Sequence, residues 1–470
     1  MGPVQSQLCV CWGPRNCSGP RLVAALDTKK KGVPGSGVPA QPHLVLHFDV
    51  NKTIVMVDTI QGIPSADVLN GILAECAWGR VKPPNGSPEH GWQLVCDKPL
   101  SVRPPETPEL VSYLEYLEQI LPGKAKDMKK KREQMWKKFT EPGQPGEELR
   151  PFYQQLESSL AGHRMVGTNM VIAAFFELLV ELLNKGRSFS IVFRTFGSDL
   201  PAVQAEFNAF CAGQHPKYPD LRLDGSAEGK PDLRLKAENT GSWYRSSEDM
   251  SVVWGTVTLE EDLAAAGGVL DEFLSHPDNS GLTSSRGLEA VVEELRLRTS
   301  QPSVLALRDY FPYWQRGGQH GPYGKPLLVD TCDHRYHPVF FDDNITLDTE
   351  DTKIVDARDK TGRALWPVYA QRYFICRAEP LLALLDDRYF IRKVEEKERC
   401  FFRKRRARMR LRAATLAVSR IIRDDNVNIP NESQVEYDAW KQSRISLSRT
   451  HFSSSTAQDD EKEHEIVRKP

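Results

Sequence analysis

The 470-residue chain predicts an α/β fold with a parallel sheet, and three features carry that expectation. Short apolar runs read as buried strands that end on polar residues: Leu44-Val45-Leu46-His47-Phe48 into Asp49, Ser190-Ile191-Val192-Phe193-Arg194 into Thr195, and Pro338-Val339-Phe340-Phe341 into Asp342-Asp343. Between the first two, Asn169 to Leu183 is densely apolar at helical spacing and closes on Lys185-Gly186, a common helix exit. A carboxylate at the carboxyl end of a parallel strand faces the crevice where open α/β sheets hold ligands, so Asp49 is the first candidate functional residue.

The remaining elements follow in chain order. The first 42 residues are rich in Gly, Pro and Lys, lack an apolar signal core and read as disordered. Cys9, Cys11 and Cys17 have no second ligand pair at zinc spacing, and Pro3 directly after Gly2 speaks against a myristoylation signal. Asp67 to Trp78 is expected as a helix capped by Ser65, and Trp92 to Cys96 as a short strand. Glu109 to Leu121 is expected as a helix with Leu110, Leu114, Leu117 and Leu121 on one face. Lys124 to Lys138 is basic and helix-permissive, and its run Lys129-Lys130-Lys131-Arg132 reads as a solvated helix face, with a nuclear signal or a phosphate-contacting patch as the alternatives. Pro142 to Gly146 is a loop. Ser198 and Asp199 are placed to cap a helix from Pro201 to Ala212.

Residues 213–285 have low periodicity, with Ser251 to Gly255 as a candidate strand. Arg286 to Arg298 reads as an amphipathic helix, Val304 to Leu307 as a strand, and 311–324 as a Gly-containing loop. Gly324-Lys325 lacks the spacing of a phosphate-binding P-loop, and Pro326 stands where that motif needs Ser or Thr. Trp366 to Leu385 completes the domain. Val394 to Ile422 is a long basic helix carrying Arg403-Lys404-Arg405-Arg406. Its residues 397–412 are expected on the surface and dispensable for the chemistry of any site at the sheet edge, and 423–470 read as a disordered tail.

A net charge of −1 argues against binding nucleic acid or anionic membrane over the whole surface. No stretch approaches 18 consecutive apolar residues, so no membrane span is expected. Nine scattered cysteines fit reduced thiols and a cytoplasmic, or alternatively nuclear, protein. A nucleic-acid role would rest on the 397–412 run alone, with Phe401-Phe402 as its aromatic content, and is disfavoured.

Asp49-Val50-Asn51-Lys52-Thr53, Thr195 at a strand tip, Lys325, and Asp342-Asp343 17 residues after that lysine resemble, in order, the four motifs of the haloacid-dehalogenase-like (HAD-like) hydrolases. The resemblance implies a Rossmann-like three-layer α/β/α parallel sheet whose core parts are 43–65, 165–212 and 286–390. It makes 66–164 a cap-like insertion and 213–285 a second insertion, with the basic helix 391–422 outside the core. It further implies that Asp49, Thr195, Lys325 and Asp342 converge at the carboxyl edge of one sheet. Asp49 would be the nucleophile, Thr195 and Lys325 would hold phosphate oxygens, and Asp49, Asp342, Asp343 and the backbone carbonyl of Asn51 would bind Mg²⁺.

The chain departs from the motif at Asn51, where the family has a second aspartate. A backbone carbonyl survives that change, but a carboxamide cannot donate and recover a proton at neutral pH. General acid–base help of this kind contributes about 10²–10⁴-fold. Asp58, His90 and His163 are alternative donors. Two expectations therefore stand side by side: a Mg²⁺-dependent phosphatase or phosphotransferase acting on a small phosphorylated substrate, and a catalytically impaired relative acting as a binding or scaffold protein.

Overall fold

The computed structural model describes residues 41–422 apart from 58–63, 83–90, 96–101, 103–104, 106, 108, 124, 163–170, 248, 260, 262, 264–268 and 348. Expectations for 1–40 and 423–470, and the donors Asp58, His90 and His163, lie outside the described residues. The chain divides into two compact units, Met1–Phe402 and Arg403–Pro470. Of the second, the described residues continue the helix Tyr389–Ile422.

Six parallel strands form the body of the main sheet: β1 (His43–Asp49), β5 (Phe189–Thr195), β6 (Thr240–Arg245), β9 (Ser303–Asp309), β11 (Tyr336–Asp342) and β13 (Ile375–Arg377). Antiparallel β7 (Met250–Trp254) and β8 (Thr283–Arg286) extend one edge, giving the order β13-β11-β1-β5-β9-β6-β7-β8. The fold is therefore α/β with a mostly parallel central sheet and packed helices, consistent with a Rossmann-like arrangement. From β1 the chain moves outward through β5 to β6, β7 and β8, returns to β9 between β5 and β6, and then crosses to β11 on the other side of β1. The order reverses between β1 and β11, and the carboxyl ends of such a pair form the ligand crevice of open α/β sheets.

Both faces of the sheet are buried, which is why its strands read as continuous apolar runs. Leu44, Leu46 and Phe48 of β1 face one core with Ile191, Phe193, Val339 and Phe341; the helices Ala173–Asn184 and Leu200–Cys211 and the start of Tyr389–Ile422 cover it. Val45, Val192, Leu305 and Leu307 face the opposite core with Trp243, Trp254 and Val291 of the helix Leu288–Arg298. A third cluster joins Phe340 and Ile375 to the two-stranded parallel pair β10 (Lys325–Val329) and β12 (Val355–Asp359).

Local expectations hold for most elements and fail where strand pairing or burial outweighs helical spacing. The helix expected from Asp67 to Trp78 runs Ser65–Cys76; Pro64, not Ser65, stands at its N-cap, with no side-chain cap. It stops because Trp78 enters β2 (Trp78–Val81), which pairs with β3 (Trp92–Leu94) and β4 (Leu110–Ser112). The helix expected from Glu109 begins only at Tyr113, where Ser112 and Glu115 form a capping box. The segment 311–324 is not simply a loop: it contains the helix Phe311–Arg316. The candidate strand in 213–285 is real, and together with β6 it widens the central sheet.

The helix face at 397–412 is not wholly exposed. Phe401 is 4% exposed, belongs to the cluster around Phe340 and Phe374, and stacks on His337 with ring centroids 4.1 Å apart. Lys397 is buried, its ammonium donating to the carbonyl of Gln371. The basic composition hid this because long cationic side chains bury their stems along apolar surface. Phe401→Ala should lower stability by about 3–5 kcal/mol in urea unfolding, and Arg399→Ala, on the exposed side, by less than about 0.5 kcal/mol. Equal small effects would return this stretch to the surface.

Candidate functional site

The register of β1 against β11 pairs Phe48 with Phe341, whose rings stack at 4.8 Å and 9°. Phe175 and Phe390 hold Phe48 edge-on from the helical layer. One residue further along each strand come Asp49 and Asp342, both turned to the opposite side by the pleat. A slip of one residue would turn the acids into the apolar layer and the rings towards Lys325, so apolar packing sets which carboxylates meet.

Lys325 reaches them from the start of β10. Its Nζ donates to Asp49 Oδ1 and, at 2.8 Å, to Asp342 Oδ2, with ammonium and both carboxylates almost fully buried. Asp343 completes an acidic triad whose ligating oxygens with Asp49 and Asp342 all lie within 4.8 Å of one another. Thr53, fully buried, joins the two loops: its Oγ1 donates to Asp49 Oδ2 at 3.4 Å and accepts from the Asp343 backbone N–H at 3.1 Å. Asn344 N–H closes a turn onto Asp342 Oδ1 at 2.9 Å.

Three acids against one ammonium set the electrostatics. Burial pushes the Asp49 carboxyl well above its ordinary range; Lys325 opposes this, and the charges of Asp342 and Asp343 add to it. Burial first and Asp342 second raise Asp343 to about 7, with Lys52 opposing. For Lys325, burial favours the neutral amine, but Asp342, Asp49 and Asp309 outweigh it and hold the ammonium above its usual value.

Two buried arginines fix the backbone on either side of Lys325. Arg194 pairs with Asp309 through Nε and Nη2 and donates from Nη1 to the Pro326 carbonyl at 2.9 Å. Its guanidinium lies between Trp243 and Phe340, 4.7 and 5.2 Å from their centroids. Burial, then the Arg194 charge, holds His47 well below its usual pKa, so its ring accepts from Arg194 Nη1 at 3.4 Å. Arg245 pairs with Asp356 at 2.8 Å and donates to the Gly324 carbonyl, also at 2.8 Å. Gly324 must be glycine: a Cβ there would sit 2.0 Å from the Ile354 carbonyl oxygen. The sequence signal for these residues was a charged residue inside an apolar strand, since a fully buried Arg requires a partner.

Asn51 and Thr195 meet through Asp199. Asn51 Nδ2 donates to Asp199 Oδ2 at 2.8 Å, and Thr195 Oγ1 donates to the same oxygen at 3.4 Å while accepting from Gly197 N–H at 2.8 Å. Asp199 was expected to cap the helix that begins at Leu200; it makes no side-chain cap and instead turns its carboxylate inward. Asn51 Oδ1 and Asp199 Oδ1 are both buried without a partner among the described residues. The structure thus brings Asp49, Lys325, Asp342 and Asp343 into one cluster, and links Asn51 and Thr195 beside it through a residue that sequence reasoning assigned to a different task. Comparison with known proteins returns no matching family model, no matching curated protein and no matching solved structure.

The Asn51–Asp199 bond makes the obvious reversal at position 51 costly. Asn51→Asp would face a buried carboxylate with another at hydrogen-bond distance and should destabilise the protein by about 1–3 kcal/mol at neutral pH. Asn51→Asp combined with Asp199→Asn exchanges donor and acceptor and should recover most of that loss in urea titrations; additive losses would show that the two side chains do not interact.

Asp343 gives a pH prediction for the metal-free protein. Its folded-state value near 7 lies above the ordinary 3.8, so the folded state binds the proton more tightly. Its contribution to stability is intact below about pH 4 and declines as pH rises towards 7. Asp343→Asn should flatten that part of the stability curve measured in EDTA. An unchanged slope would place the perturbed proton on another group.

Proposed function

We propose that this crevice is a phosphoryl-transfer site of the HAD-like kind, acting on a small phosphorylated compound through an aspartyl-phosphate on Asp49. The observation that carries the reading is the placement of Asp49, Asp342 and Asp343 around Lys325 where the sheet order reverses. Asp49 has one oxygen on Lys325, while among the described residues its Oδ2 has only the 3.4 Å contact from Thr53. That second oxygen is the one available to attack phosphorus, splitting transfer into two steps. Lys325, held by its flanking carbonyls, would face the phosphoryl oxygens with its charge already in place. Thr195 would exchange its long contact with Asp199 for a phosphoryl oxygen.

The donor set fits Mg²⁺. It is all oxygen, clustered, and has one ammonium against three carboxylates, which leaves negative charge for a hard dication to balance. Asp49, Asp342, Asp343 and the Asn51 backbone carbonyl would hold it. When bound, the ion supplies the charge neutralisation that lets an anionic nucleophile approach an anionic phosphate. The leaving group needs a proton that the Asn51 carboxamide cannot supply, and the carboxyl bonded to that amide belongs to Asp199.

A second reading, a binding protein that retains the metal and phosphate seats without turnover, is favoured by that same amide at position 51. Hydrolysis of 4-nitrophenyl phosphate and phenyl phosphate with and without Mg²⁺ separates the two. The transfer reading expects Mg²⁺-dependent turnover, reduced roughly 10³-fold or more by Asp49→Asn. Mg²⁺ binding by calorimetry with no turnover of either ester supports the binding reading. Turnover unaffected by Asp49→Asn removes Asp49 as nucleophile.

A further inference from the structure

A cavity of about 240 Å³ lies among Ser246, Ser247, Tyr313, Arg316, Gly317 and Tyr323. Ser246 and Ser247 directly follow β6, and Tyr313 and Arg316 belong to the helix that follows β9, so the cavity opens on the same carboxyl edge of the sheet as Asp49. Tyr323 stands two residues before Lys325, at most about 7 Å along the backbone.

Its walls are built rather than incidental. The Tyr313 and Tyr323 rings stand 5.2 Å apart at 53°. Tyr323 lies so close over Gly317 that a Cβ there would meet its ring at 2.1 Å. The buried Arg245 guanidinium packs 5.1 Å from the Tyr313 centroid, so the residue that fixes the Gly324 carbonyl also supports this wall. The Ser246 hydroxyl is engaged in its own turn, accepting from Asp249 N–H at 3.0 Å. Arg316 is different. Its guanidinium lies 6.0 Å from the Tyr310 ring and forms no hydrogen bond or ion pair with the described residues.

Two inclined aromatic faces suit a planar ring, and a guanidinium at the rim with no anionic partner among the described residues suits a planar anion, which it binds through parallel N–H donors. We propose that the cavity seats an aromatic carboxylate, with the ring against Tyr313 and Tyr323 and the carboxylate on Arg316. The chemistry of the cavity is independent of the phosphoryl-transfer reading; that its occupant is the unreacted end of the substrate rests on that reading.

Ligand-observed NMR on the full chain tests the site with benzoate and with neutral benzyl alcohol. Benzoate should bind saturably and more tightly than benzyl alcohol. Arg316→Gln, at an exposed position, should weaken benzoate about tenfold or more without changing benzyl alcohol, and Gly317→Val, which displaces Tyr323, should weaken both. Asp49→Asn should leave both unchanged. Absence of benzoate binding, or binding indifferent to Arg316→Gln, overturns the site. The substrate assignment is read from KM: 3-carboxyphenyl phosphate should show a lower KM than phenyl phosphate in the native protein and lose that advantage in Arg316→Gln. Equal KM values overturn the assignment. Benzoate binding that depends on Arg316, with neither ester turned over, supports the cavity and overturns the phosphoryl-transfer reading alone.

Discussion

Lys325 Nζ is shared between Asp49 and Asp342, and the arrangement of the crevice depends on that contact. An ammonium taken out of water costs several kcal/mol and is tolerated only with close, well-directed partners. Each acid is in the same position: alone at the end of its strand it would be a buried, uncompensated charge. Asp49 at the end of β1 stands 276 residues before Lys325 at the start of β10, which precedes Asp342 of β11 by 17, and this ion triad ties the three strands together. A third carboxylate, Asp343, exceeds what the lysine can neutralise. Excess negative charge in a buried place is a standing demand for a cation, and it raises the acids' proton affinity when none is bound.

Such a cluster is useful only if the lysine cannot follow its attractions. Arg194 and Arg245 prevent that by holding the carbonyls of Pro326 and Gly324, and each is neutralised by its own aspartate, so neither competes for Asp49. Beneath the triad there is thus a second charged layer with a mechanical task. Its members are buried, paired and directed at backbone, whereas Lys325 is directed at side chains.

The Asn51–Asp199–Thr195 group has a different logic. A carboxylate at position 51 would need a cation or a proton to coexist with Asp199; the amide needs neither and donates a hydrogen bond at once. The carboxylate that the resemblance places at 51 is missing there, and one from another element occupies the adjoining space. Asn51 Oδ1 and Asp199 Oδ1, two acceptors without a partner among the described residues, mark a part of the crevice whose hydrogen bonding those residues leave incomplete.

Much of this was legible in the sequence. Strands that are apolar on both faces must be buried on both, and acids at their ends must lie at the sheet edge, so Asp49, Asp342 and the α/β class could be read without coordinates. The order of Asp49, Thr195, Lys325 and Asp342-Asp343 also selected the residues that the fold gathers. Partner choice was not legible. Nothing local distinguishes Asp199 as an N-cap from Asp199 as the acceptor for Asn51, because both readings satisfy the same short-range pattern and the winner is 148 residues away. The same holds for Arg194 with Asp309, for Phe401 beneath an apparently basic helix, and for the cavity at Tyr313 and Tyr323. Pattern along a chain reports which groups must be satisfied; only packing in three dimensions decides by what.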